Sequence, residues 1–151
     1  MSCSLTLVRQ IRARPAIVFD ALTTADGISQ WWGPDAGPVL HAESDARVGG
    51  RFKVRFRMLD GSEHESAGEF LEVSAPKRLV MSWQWVSGGE PLEGDGVSRI
   101  EIDLRQTDSG TELTFTHALL KSEGSRASHE HGWSGALDKL ERIYDSRIGS
   151  H

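Results

Sequence analysis

His117, His129 and Arg9 are the side chains of this sequence with the most chemistry to offer. Histidine titrates closest to neutral pH, so two imidazoles facing one interior could shuttle a proton or orient a polar ligand head, with an arginine beside them as a fixed donor. The inward placement of His117 follows from a hairpin. Thr107-Asp108-Ser109-Gly110 closes 97–105 onto 111–117, and pairing Leu104 with Leu113 sets Ile102 against Phe115 and Ile100 against His117. His129 lies four residues before Trp133, on the apolar stripe of a terminal helix, and Arg9 shares a strand face with Leu5, Leu7 and Ile11. The same residues also suit a set of hydrogen-bonded core groups. With no adjacent nucleophile or carboxylate pair, no catalytic residue is assigned.

Five tryptophans, Trp31, Trp32, Trp83, Trp85 and Trp133, are many for a domain of this size. Large rigid rings suit the walls of an apolar pocket, and they serve equally to fill a core. His129 and His131 stand two apart on a helix and cannot share a face, so no zinc site is expected from them. Gly49, Gly50, Gly88 and Gly89 precede no Gly-Lys-Ser/Thr and are read as turn residues, so no metal and no cofactor is expected.

The elements that must position these groups follow from periodicity. Trp133, Leu137, Leu140, Tyr144 and Ile148 recur at helical spacing, which predicts a long helix beginning between Ser122 and Ser128, with Asp138, Lys139, Glu141 and Asp145 on its wet face. Gly132 is expected to let that helix approach a neighbour closely. Such a stripe needs a sheet to lie on. Strands are predicted over 5–12, 39–43, 51–58, 63–73, 79–86, 97–105 and 111–117, with the glycine-rich stretch 87–96 as a loop. Pro15 opens a first short helix, and a second runs over 25–32 to Gly33-Pro34. A three-residue loop, Asp60-Gly61-Ser62, would pair Phe52 with Phe70, Lys53 with Glu69 and Arg57 with Glu65. The stripe Arg51, Lys53, Arg55 and Arg57 reads as a solvated strand face, or as a dock for an acidic partner.

At 151 residues the chain is read as one domain spanning 1–151, able to bury about 70% of its unfolded surface. The net charge of -5 opposes nucleic-acid binding, and no apolar run is long enough to span a membrane. Cys3 is the single thiol, so the chain has no disulfide framework and a cytoplasmic location is expected.

In order, RQIRARPAIVFDALT, QWWGP, RVGGRFKVRF, GEFLEVSAPKRLVMSW, GTELTFTH and HEHGW resemble the family related to the activator of heat-shock-protein-ninety ATPase, within the START-like or SRPBCC superfamily. The resemblance spans nearly the whole chain. It implies an α+β helix-grip fold, as in the birch-pollen allergen: a curved antiparallel sheet around a long C-terminal helix, with two short helices near the N-terminus and a cavity between sheet and helix. Residues 31, 32, 52, 54, 56, 83, 85, 115, 117, 129, 133 and 137 would line that cavity, namely Trp31, Trp32, Phe52, Val54, Phe56, Trp83, Trp85, Phe115, His117, His129, Trp133 and Leu137. Arg9, His117 and His129 would orient a polar head.

Members of such families are variously proposed to bind hydrophobic molecules, to partner chaperones under stress or to cyclise polyketides. The expectation is non-catalytic binding of a small apolar or amphipathic ligand. A cyclase-like enzyme using His117 or His129, and a chaperone-linked protein-interaction module, are the alternatives. The chain lacks the separate N-terminal region with which the eukaryotic activator grips its chaperone, which weakens the last. An open cavity would favour a ligand, and a closed core would favour a protein partner. Monomer and homodimer both remain open.

Overall fold

The computed structural model describes residues 3–87 and 97–149, and of residues 85, 87 and 146–149 it describes the backbone alone. Seven strands form one antiparallel sheet: β1 (Cys3–Ile11), β2 (Val39–Ser44), β3 (Arg51–Arg57), β4 (Glu63–Ser74), β5 (Arg78–Ser87), β6 (Ser98–Thr107) and β7 (Gly110–Leu120). Their order across the sheet is β1-β7-β6-β5-β4-β3-β2, so the first strand returns to pair with the last. Helices α1 (Pro15–Thr23) and α2 (Ala25–Ile28) connect β1 to β2, and α3 (Glu123–Gly149) follows β7. This is the α+β helix-grip architecture the sequence implies.

Alternation decides which strand face is inner. Phe52, Val54 and Phe56 of β3 are buried while Arg51, Lys53 and Arg57 are exposed. The β6–β7 register is the expected one, with Leu104 opposite Leu113, Ile102 opposite Phe115 and Ile100 opposite His117.

The β3–β4 register is not. Phe52 lies opposite Gly68, Arg55 opposite Glu65 and Arg57 opposite Glu63, two residues from the expected pairing. The connection is a five-residue loop, in which Met58 N donates to Ser62 O at 2.8 Å, Gly61 N to Met58 O at 2.9 Å, and Ser62 N to the Asp60 carboxylate at 2.8 Å. A two-residue slip leaves every side chain on its own face, so face matching cannot detect it. Phe52 still reaches Phe70 diagonally, with ring centroids 5.7 Å apart. The ring also covers Gly68, where a Cβ would stand 2.6 Å from it.

α2 ends at Ile28 rather than Trp32. Trp31 N and Trp32 N return to Ile28 O in a turn, the Trp31 indole donates to Ala21 O at 2.9 Å, and Gly33 adopts φ +101, which no helix continues.

Helix α3 buries Trp133, Ala136, Leu137, Leu140 and Tyr144, while the side chain of Ile148 lies outside the described residues. Its polar side is not simply wet. Arg9 reaches from β1 to Asp138, to Glu141 at 2.7 Å and to Ser134 Oγ at 2.9 Å, so it ties the edge strand to the helix. Lys139 Nζ donates to Trp32 O at 3.1 Å and Asp35 O at 2.6 Å. The close approach falls at Gly135, whose Cβ would stand 2.1 Å from Pro34 O, and not at Gly132, where the nearest atom would be 3.7 Å away. The strap 31–35 is thereby pinned along the helix.

Candidate functional site

The centre of the space between sheet and helix is an aromatic cluster threaded by one hydrogen-bonded chain. His117, fully buried on β7, accepts from Trp133 Nε1 at Nδ1, 3.0 Å away. Its proton therefore sits on Nε2, as inferred from the network, and is donated to Ser98 Oγ at 2.7 Å. The Ser98 hydroxyl in turn donates a hydrogen bond to Trp83 O at 3.2 Å. Both imidazole nitrogens are thus occupied. Burial, and secondarily His129, push the His117 pKa down to about 3, so the ring is neutral at physiological pH.

Rings close around this chain. His129 lies 4.7 Å from His117 between centroids and 4.9 Å from Trp83, edge-on at 90°. Trp32 meets Trp133 edge-on at 5.1 Å, and Phe115 lies 4.8 Å from Trp133. Trp31 and Phe52 join through Trp32, at 5.4 and 6.0 Å. A cavity of about 10 Å³, room for roughly one water, remains between Trp31, Trp32, Met81, Phe115 and Trp133.

Most of the residues expected to line a cavity therefore come together: Trp31, Trp32, Phe52, Trp83, Phe115, His117, His129 and Trp133. Leu137 is buried one turn further along α3. Val54 and Phe56 continue the inner face of β3, Phe56 stacking on His64 at 5.4 Å. The Trp85 side chain lies outside the described residues. Arg9 does not join them. Its guanidinium is engaged by Asp138 and Glu141; burial alone would lower its pKa, and these two hydrogen-bonded carboxylates more than reverse that.

Sequence reading missed Ser98, whose parity with Ile100 was visible but whose partnership with His117 was not. It also missed Lys139, whose pKa is lowered by burial against the opposing pull of Asp35. His131 is exposed, so it does not share the face of His129. Among the described residues no cluster of three metal-ligating side chains occurs. The basic stripe of β3 is partly neutralised, Arg55 by Glu63 at 2.6 Å and Arg57 by Glu63 at 3.1 Å. Among the described residues no helix is long and apolar enough to cross a membrane.

Residues 12–145 match the family described as activator of Hsp90 ATPase homolog 1-like protein. The chain belongs to that family. A search of curated proteins finds no match. Solved structures agree with the fold. The AHSA1 protein of Silicibacter pomeroyi is 22% identical with a TM-score of 0.81, over 96% of this chain and 99% of that one. A protein from Nitrosomonas europaea is 26% identical with a TM-score of 0.76, over 97% and 96%. An AHSA1-like protein from Aeromonas hydrophila is 25% identical with a TM-score of 0.74, over 99% and 96%. Family and fold together support a ligand-binding or chaperone-associated role.

Proposed function

We propose that this AHSA1-like protein binds a small apolar or amphipathic molecule between the inner face of its sheet and α3, and does not transform it. The observation that carries this reading is the His117 chain. A general base needs a free lone pair near the reacting proton, whereas His117 spends one nitrogen on Trp133 and the other on Ser98. What surrounds it is a wall of rings, suited to contact area and to the exclusion of water. The cavity of about 10 Å³ is far below the roughly 300 Å³ of a typical ligand site. Binding of a ligand in this cavity therefore requires rings of the cluster to move apart.

That small volume also favours a second reading, a protein-interaction module linked to chaperones and stress, in which the rings are core. Native mass spectrometry of protein purified from its own host separates the two. A retained small molecule supports the first reading, and bare protein that co-purifies with a stoichiometric chaperone supports the second. Incubating a retained ligand with wild type and with the His117→Ala/His129→Ala double variant tests the absence of chemistry. Conversion by wild type that the double variant abolishes would overturn it in favour of a cyclase-like enzyme.

A further inference from the structure

Ser66 lies on β4 opposite Val54, so its side chain shares the inner face with the core residues of β3. It is fully buried, and its hydroxyl has no hydrogen-bond partner among the described residues. Several other buried polar groups are satisfied, Thr23 by Phe19 O at 2.8 Å, Thr111 by Ala13 O at 2.7 Å, and Ser98 and His117 by each other, whereas the half-buried Thr107 likewise carries a hydroxyl without a partner among the described residues. An unsatisfied buried hydroxyl is costly, and native folds keep few of them. The strand is also irregular at this point. Pairing jumps from Glu65 opposite Ser87 to Ser66 opposite Trp85, leaving Val86 as an extra, exposed residue of β5. Such bulges re-aim side chains beside binding sites.

We infer that Ser66 Oγ is the hydrogen-bonding anchor for the ligand of this cleft, and that the ligand is a neutral molecule carrying a hydroxyl or carbonyl on an apolar body. This rests on the ligand-binding reading above and specifies its chemistry. Neutrality follows from what surrounds the anchor. Among the described residues no Lys, Arg, Asp or Glu is buried, His117 is neutral, and Arg9 and Lys139 already serve Asp138, Glu141 and the carbonyls of the strap. A carboxylate entering the cleft would lose its hydration and, among the described residues, meet no buried Lys or Arg in return. A hydroxyl or carbonyl needs only one partner, and Ser66 can donate or accept.

Naphthalene, 2-naphthol and 2-naphthoate share one bicyclic body and differ in head group, so calorimetric titration of each reads the anchor directly. Wild type is expected to bind 2-naphthol about 2- to 13-fold more tightly than naphthalene, the worth of one net hydrogen bond, and 2-naphthoate most weakly. Ser66→Ala should erase the preference for 2-naphthol while leaving naphthalene binding intact. The same variant should melt no lower than wild type, because it removes an unpartnered hydroxyl. Naphthalene binding with no preference for 2-naphthol would overturn the anchor and leave the cleft reading standing. Binding of none of the three would remove both. A melting temperature several degrees lower in Ser66→Ala would show that the hydroxyl already has a partner in the fold, and would overturn the anchor independently of any ligand.

Discussion

Lowering the pH from 7 to 5 should destabilise this protein through His117. Its folded-state pKa is held down to about 3 from an ordinary 6.5, because a charged imidazole would lie fully buried beside His129 with both nitrogens already committed. The unfolded chain takes up a proton below 6.5 and the folded chain does not, so acid favours unfolding. The contribution is whole above 6.5 and drains away as the pH falls toward 3. Two-state linkage with these values gives a loss of about 2 kcal/mol between pH 7 and 5, and about 3 kcal/mol by pH 4. Either is a large part of a typical domain stability of about 5–15 kcal/mol. Carboxylates act in a lower window: Glu63, held below 4.5 by Arg55 and Arg57, and Glu101, held below it by Arg78, give up their contributions only under more acidic conditions. Urea unfolding followed by tryptophan emission at pH 7, 6 and 5 measures the slope, and His117→Gln assigns it. The amide can still accept from Trp133 and donate to Ser98 but cannot titrate, so the variant should start less stable and vary less over that window. A wild type equally stable at pH 7 and 5, or a slope unchanged in His117→Gln, would refute the argument.

Leu140→Ala, at a fully buried position of α3, should cost about 2–5 kcal/mol in denaturant melts. Asp138→Ala should cost about 1 kcal/mol or less, since Asp138 is half-exposed and Glu141 still holds Arg9; an equal loss in the two variants would contradict the gripped helix. Two helix glycines should respond with opposite sign. Gly132→Ala has ordinary room and should stabilise by about 0.5–1 kcal/mol, whereas Gly135→Ala drives a methyl into Pro34 O and should destabilise by about 1–3 kcal/mol, with thermal melts reading both.

Sequence alone determined the order and type of nearly every element, because periods of 3.6 and 2 are local properties that survive without knowledge of neighbours. It placed His117 inward, since the short turn at 107–110 permits few registers and one of them pairs Leu104, Ile102 and Ile100 with their observed partners. It could not fix the β3–β4 register, where Phe52 opposite Phe70 and Phe52 opposite Gly68 put identical faces inward and only the loop hydrogen bonds of 58–62 choose. Arg9 lies on the expected face, but its guanidinium is engaged by α3 and does not join the aromatic cluster. Its partners Asp138 and Glu141 lie more than 125 residues away in sequence, and their arrival depends on how α3 crosses β1. The same crossing puts the close approach at Gly135 rather than Gly132, as a helix's sequence does not say which of its small residues meets a neighbour's backbone. The commitment of both His117 nitrogens and the hydroxyl left over at Ser66 are also tertiary facts. Satisfaction of a buried polar group is set by distances of a few ångströms between strands and helix, which residue types and spacing do not contain.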